Sequence, residues 1–373
     1  MTLAPERPTI APTEPHHVGS THASTRHHSG SSRLRNEAPA AAPAAYRKGG
    51  RPNPIAHLTP AQIEAIGVEL DAIQKAVMDS RGAKDAAYIR RVIKVQRSLE
   101  LGSRAVLLFS GVKVKGIRPA WWIGTAGLGL AKILENMEIG HNVMHGQWDW
   151  MRDPNIHSTA WEWDNASPSS QWKRTHNQMH HTFTNVIGRD NDLGYGIMRV
   201  DEDQRWSLFH LFQPIWHVGN ALLFEYGIAA YDLELGGYLA KRKRMTPEAK
   251  AEWRAEAMKT VHKIRAQMTK DYVVHPTMAL PFGGPANAVH TLTANVVANL
   301  MRNLWTNTVI ICGHFPKGIE TFEVAGIDNE TRGEWYLRQM LGSGNISDSK
   351  VMHVMTGNLS KQSEHNLWPN MPS

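Results

Sequence analysis

Two histidine boxes lie within forty-one residues, His141-Asn-Val-Met-His145 and His176-Asn-Gln-Met-His180-His181, separated by a loop dense in tryptophan and aspartate. On an α-helix, residues four apart share a face, so His141 pairs with His145, and His176 with His180, with His181 beside them. The spacing predicts five imidazoles aimed at one place, and a cluster of ligand-type side chains is what a metal site requires. One isolated His-x-x-x-His arises readily by chance. Two boxes this close, one of them doubled, carry far more weight.

The surrounding residues narrow the metal chemistry. A zinc protease helix would carry a general-base glutamate inside the box, where Asn142 stands instead. Cys312 is the single cysteine, so no Cys-x-x-Cys pair exists. The two boxes do not supply the matched pair of Glu-x-x-His motifs, one on each of two facing helices, that carboxylate di-iron bundles use. Imidazole suits iron, zinc and copper alike, but five imidazoles exceed a four-coordinate zinc shell. Two metal ions fit the count better. Asp149, Trp161, Glu162, Asp190 and Asp192 are candidates to orient the ring N–H groups from behind.

The boxes and their flanks, GQWDW, WEWD, THNQMHHTFTNV and GRDNDLGYG, resemble the integral-membrane fatty acid desaturases, in particular actinobacterial acyl-CoA desaturases of the stearoyl-CoA 9-desaturase type. The resemblance runs from about Ala56 to the last residue. It implies a centre of two iron ions that uses O2 and two electrons to take two hydrogens from an unactivated acyl chain. It also makes His314, in Cys312-Gly313-His314-Phe315-Pro316, and His365 further iron ligands, with Asn307 able to support His314 through a water.

The third box departs from the pattern that the resemblance implies, a His or Gln followed two or three residues later by His-His. Here the text is Gly357-Asn358-Leu359-Ser360-Lys361-Gln362-Ser363-Glu364-His365-Asn366. Gln362 satisfies the Gln form, Lys361 stands where an extra histidine can occur, and Asn366 replaces the second histidine. An amide oxygen is a weaker, harder ligand than imidazole, and an inward lysine would oppose metal binding. The resemblance also implies a further helical segment in relatives beyond the point where this sequence stops at Ser373. A di-iron lipid hydroxylase and a desaturase-like chain that has lost full iron binding are therefore the alternative readings.

The elements that must position these residues are read as all-α: a membrane-embedded helical bundle of about four spans under a histidine-rich cytosolic cap. Residues 1–55 are rich in Pro, Ala, Ser, Thr and His and read as a disordered tail, in which His16-His17 and His27-His28 are solvated pairs. No apolar segment of the secretory type follows Met1. Residues 56–103 read as amphipathic interfacial helices. Thr59, Pro60 and Gln62 form a helix start, with Ile63, Ile66, Leu70, Ile73 and Val77 on one face. After Asp85, a second helix sets Ile89, Val92 and Leu99 against Arg90, Arg91, Lys94 and Arg97, a pattern suited to an anionic leaflet.

Residues 104–373 would form the membrane domain. A span needs about twenty mostly apolar residues. Ala105–Val112 and Ala120–Leu134 read as a tight hairpin that delivers His141 to the membrane surface, and Ala286–Cys312 is the clearest span, with Arg302 its one charge. Trp206–Leu235 is interrupted by Pro214 and Glu225. A re-entrant path there keeps Lys241-Arg242-Lys243-Arg244 on the cytosolic side, as the positive-inside tendency requires. The resulting expectation is a multi-pass protein of the cell membrane with its metal site facing the cytoplasm.

The mildly negative mean hydropathy does not exclude this, because the polar tail and loops dilute the apolar segments. The net charge of +7 suits an acidic redox partner, CoA phosphates or anionic lipid equally well. Nucleic-acid binding is a poor reading, since the basic residues form no recognised module. No haem signature, iron–sulfur cysteine set or Gly-x-Gly-x-x-Gly loop is present, so electrons must come from a separate donor of the ferredoxin or flavin reductase type. The expected partners are thus long-chain acyl-CoA, that donor and membrane lipid.

Overall fold

The computed structural model describes residues 54–372, except 191, 202–203, 325–326, 328 and 348. The polar N-terminal stretch and its two early histidine pairs lie outside the described residues. Within them the fold is all-α, and the only β pairings are two isolated bridges.

Helix α1 (Pro60–Asp79) opens as its sequence requires: the Thr59 hydroxyl accepts from the Gln62 N–H, and the Gln62 carboxamide accepts from the Thr59 N–H. Helix α2 (Ala83–Leu107) continues past the 103–104 boundary and turns through Val114–Ile117 into α3 (Pro119–Leu134). The two pack along each other, burying Leu107 against Leu128. This hairpin runs straight into a π-helical segment, Glu135–His141, so the first box sits at the end of one long helical path.

The apolar stretch after Trp206 is broken, giving α4 (Gln213–Leu222) and α5 (Phe224–Asp232) on either side of Leu223. Helix α6 (Pro247–Thr269) is capped by the Thr246 hydroxyl, which accepts from the Ala249 N–H. Helix α7 (Leu280–His314) contains the strongest candidate span, is bent at Gly283–Gly284 ahead of Pro285, and packs on α3. Helix α8 (Arg332–Leu341) and the short α9 (Gln362–Leu367) close the cap.

No helix among the described residues is long and apolar enough to cross a membrane by the usual hydropathy criterion. The reason is visible on α7. Asn287, Thr291, Asn295, Asn299, Arg302, Asn303, Thr306 and Asn307 are buried, whereas Val289, Val296 and Leu304 point outward. The polar face that lowers its mean hydropathy is its inner face.

Buried charges tie this bundle together. Lys132 on α3 reaches Asp164 at 3.1 Å and Asp271 at 2.8 Å, Arg104 on α2 reaches Asp271 at 3.3 Å, and Arg302 on α7 pairs with Glu225 on α5 at 2.5 Å. Lys270 completes the set on Asp164. Removing one partner of such a pair leaves an unpaired buried charge, which costs about 3–5 kcal/mol. A separate apolar core of Ile55, Ile63, Val186, Phe322 and Leu337 joins α1 to α8. There the helices touch backbone to backbone: a Cβ on Gly333 would lie 2.1 Å from the Ile63 carbonyl oxygen.

Candidate metal centre and enclosed cavity

Both boxes lie on widened helical turns. His141 ends the π-helical segment Glu135–His141, and His176 and His180 fall in a second one, Lys173–His180. A π turn bonds residue i to i+5, so the doublet at i+4 and i+5 from His176 can crowd toward one side. Between His141 and His145 the α-helical spacing assumed from sequence is kept, with the His145 N–H bonded to the His141 carbonyl at 3.1 Å, whereas in the second box it is replaced by a wider turn. This also explains why His181 packs against His145, His176 and His365, with ring centroids 4.7–4.9 Å apart.

The seven histidines meet. The ligand atoms of His141, His145, His176 and His365 lie within 4.8 Å of one another, as do those of His176, His180 and Asp192. His141 Nε2 and His145 Nε2 are 3.2 Å apart, and His180 Nε2 and His314 Nε2 are 3.1 Å apart. Two imidazole nitrogens bound to one ion at ~2.1 Å and roughly right-angled or tetrahedral positions are separated by ~3.0–3.4 Å. Both pairs match that separation.

The hydrogen bonds behind the rings set which nitrogen faces inward. His314 Nδ1 donates to the Ile310 carbonyl at 2.9 Å, His176 Nδ1 to Asp192 Oδ2 at 2.9 Å, His180 Nδ1 to Asp190 at 3.1 Å and His141 Nδ1 to Asn142 Oδ1 at 3.1 Å. Each partner is an acceptor, so each Nδ1 carries the proton and each Nε2 offers a lone pair. His176 Nε2, His365 Nε2 and both nitrogens of His181 are buried with no partner among the described residues. Orphaned buried nitrogens demand an explanation, and a metal ion supplies one.

At six of the seven rings electrostatics favour the neutral imidazole, and His180 is the exception. Burial and the neighbouring rings hold His145, His176, His181 and His365 well below the ordinary imidazole range, and burial brings His141 down to about 4. Burial also opposes the charged form of His180, but the Asp190 and Asp192 carboxylates outweigh it and push His180 up to about 9. The donor set, mostly neutral imidazole with carboxylates behind it, fits iron.

Not every expected supporting residue takes part. Asp190 and Asp192 do, and Asp190 also accepts from the N–H groups of Asn185 and Asp192. Asp149 instead binds the backbone and hydroxyl of Ser158, and Glu162 binds Ser169 and Lys263. Trp161 packs under Arg97. Nearer donors occupy the carboxylates of Asp149 and Glu162, and Trp161 contributes packing rather than an acceptor. Asn307 is buried on α7 with its Nδ2 unpartnered.

In the third box, Gln362 Nε2 donates to Asn366 Oδ1 at 2.8 Å, leaving Gln362 Oε1 buried without a partner. Gln362 lines the cavity described below, whereas half-buried Lys361 does not. The Gly357-Asn358 turn ahead of this box has a steric requirement. Gly357 adopts φ +64°, and a Cβ there would lie 2.3 Å from the Met137 carbonyl oxygen. Asn358 Nδ2 then approaches Glu138 Oε2 at 3.4 Å.

Sequence reasoning missed Glu138. It is wholly buried, accepts from the Tyr88 hydroxyl at 2.6 Å and from Asn142 Nδ2 at 3.4 Å, and burial pushes its carboxyl up to about 8 against the Tyr88 hydrogen bond. A carboxylate three residues before the first histidine of a box was the available signal. Also missed was an enclosed cavity bordered by His141, His176 and His314 on one side and by Trp163, Trp172, Phe224, Ile228 and Ile310 on the other. Trp172 stacks on His176 at 4.5 Å and forms the floor.

With this geometry in hand, comparison with known proteins decides the family. The fatty acid desaturase family matches residues 119–373. The chain belongs to the fatty acid desaturase family. It is 49% identical over 319 residues to the NADPH-dependent stearoyl-CoA 9-desaturase of two Mycobacterium tuberculosis strains, covering 86% of this chain and 72% of theirs. It is 24% identical over 272 residues to the sn-1 linoleoyl-lipid 6-desaturase of Synechocystis, covering 72% of each. The desaturase is thus an oxidoreductase of lipid metabolism, and its imidazole cluster lies inside the segment that defines the family.

Proposed function

We propose that this desaturase uses O2 to place a cis double bond in a long-chain fatty acyl-CoA with Δ9-like specificity. The observation that carries the reading is the convergence of seven imidazoles, six of them buried, beside an enclosed cavity that His141, His176 and His314 border. The printed activity of the mycobacterial relatives supports the substrate and the double-bond position.

His141, His145, His176, His180, His181, His314 and His365 would hold two iron ions, with Gln362 Oε1 as a candidate oxygen donor held in place by Asn366. Bound there, iron would supply the O2 chemistry of a reaction that converts –CH2–CH2–, O2, two electrons and two protons into –CH=CH– and two waters. The protein's own residues do the rest. Asp190 and Asp192 fix the tautomer and orientation of His180 and His176. Trp163, Trp172, Phe224 and Ile310 present an apolar wall that excludes bulk water beside the rings.

Two further elements belong to this proposal. The first is a separate electron donor of the ferredoxin or flavin reductase type, in line with the NADPH dependence in the relatives' name. The second is a multi-pass location in the cell membrane with the metal site on the cytoplasmic side. It is supported by the inverted polarity of α7 and by the outward apolar residues Trp122, Ile123 and Leu130 on α3 and Leu211, Ile215 and Val218 around α4. Intramembrane polar groups face a bundle interior, as these do.

The test is elemental analysis of the detergent-purified protein beside Asn366→His, followed by a stearoyl-CoA assay with a reducing system. About two irons per chain in the parent, as a di-iron carboxylate-free centre requires, and an oleoyl product are expected. Iron near zero in the parent but restored by Asn366→His would sink the catalytic reading for this chain.

A further inference from the structure

The cavity beside the histidines has a volume of about 50 Å³. A water-sized group takes ~10–15 Å³ on this measure, so the cavity holds a handful of such groups and not a long acyl chain. Directly outside it lies an open groove of about 690 Å³. Tyr195, Ile228 and Tyr231 line both. A substrate that reaches the histidines by this route must pass that wall.

The two tyrosines are held differently. The Tyr231 hydroxyl donates to Asp192 Oδ1 at 2.7 Å, and Asp192 Oδ2 accepts from His176 Nδ1, so Tyr231 is anchored to the metal centre. Tyr195 has no such anchor among the described residues. Its ring rests edge-on against Tyr231 at 5.3 Å and Phe224 at 6.1 Å. Its backbone is left-handed at φ +51°, between Gly194 at +67° and Gly196 at +69°. A tyrosine in that region is strained, and glycines on both sides give the segment the freedom to leave it.

The groove beyond is shaped for a chain with a charged end. It is floored by Gly227, Gly236 and Gly237 and reaches Lys241, the first of four exposed consecutive cations, Lys241–Arg244. An apolar tail directed inward and an anionic carrier at Lys241–Arg244 match both ends.

We propose that Tyr195 is the gate and specificity wall through which the acyl chain of an acyl-CoA passes from the Lys241 groove to the histidines, swinging against the fixed Tyr231. The proposal rests on the acyl-CoA reading above. A residue that only gates access changes association and dissociation rates together, whereas one that only binds or stabilises does not.

The experiment is stopped-flow binding of stearoyl-CoA to the full-length, iron-loaded protein, its Tyr195→Ala, Tyr195→Phe and Tyr195→Trp variants, with iron content measured alongside. Tyr195→Ala should accelerate both rates about tenfold, a barrier change of ~1.4 kcal/mol, with Kd near the parent value and mid-chain-branched acyl-CoA newly accepted. Tyr195→Phe should behave like the parent, and Tyr195→Trp should slow both rates. If Tyr195→Ala does not retain iron, the Trp variant and its slowing carry the test. Stearoyl-CoA binding with rates unchanged in the iron-loaded variants would overturn the gate alone. A parent that holds iron but does not bind stearoyl-CoA would overturn the acyl-CoA reading and the gate with it.

Discussion

The first two histidine boxes and the third are built on different principles. His141, His176 and His180 sit on π-helical turns with a side-chain acceptor behind each Nδ1, so local helix geometry and a nearby oxygen fix each ring. His365 has no hydrogen bond at Nε2, and its box is held by an amide pair and by the close seat of Gly357 on Met137. The contrast teaches that one half of the centre is pre-organised by its own helices, while the other is placed by docking.

The largest effect should come from within the pre-organised half. His180→Ala removes a ring that faces His314 at 3.1 Å and should abolish stoichiometric iron and desaturation, read by elemental analysis and product chromatography. Asp190→Asn keeps the size of the side chain but weakens the acceptor behind His180, and should lower iron affinity about 10–100-fold, measured by competition with a chelator. If Asp190→Asn proved harmless, the pre-organisation argument would fail.

The docked half should respond through stability first. Gly357→Ala meets both a left-handed backbone and the Met137 carbonyl, and should cost about 1–3 kcal/mol, seen as a lowered Tm with secondary structure retained. Equal Tm values for parent and variant would show that this seat does not hold the third box.

A last test concerns Glu138, which both halves touch. Its folded pKa of about 8 exceeds the ordinary 4.5. Its stabilising contribution is therefore complete below the unfolded value and is lost as pH rises through the folded one. Glu138→Gln, which keeps the neutral hydrogen-bonding shape, should flatten the decline of Tm between about pH 5 and pH 8. An unchanged slope would remove Glu138 as its source.

How much of this was legible in the sequence depends on whether the partner was local. The Thr59 and Thr246 helix starts were, because a capping hydroxyl finds its N–H three residues away. The five clustered histidines were as well. Among the acidic candidates, residue type alone could not separate Asp190 and Asp192 from Asp149 and Glu162. The choice is made by the fold of the Gly188–Gly196 loop, which no spacing rule encodes. The π turns were invisible for a similar reason, since one extra residue in a helical turn leaves the composition unchanged. Hydropathy also misled on α7, where the polar residues point in and the apolar ones out.

The docking of the third box also orders events in time. Glu138 and Asn358 meet across 220 residues of chain, and His180 and His314 across 134. Closing loops of that length is entropically expensive and comes late in folding. On the ribosome, the first two boxes can form their helices and bury their carboxylates long before Gln362–Asn366 is synthesised. Full loading of the proposed iron centre would therefore report that Gln362–Asn366 has been made and seated, and a pulse-labelled chain should become chelator-resistant only after that segment has been synthesised.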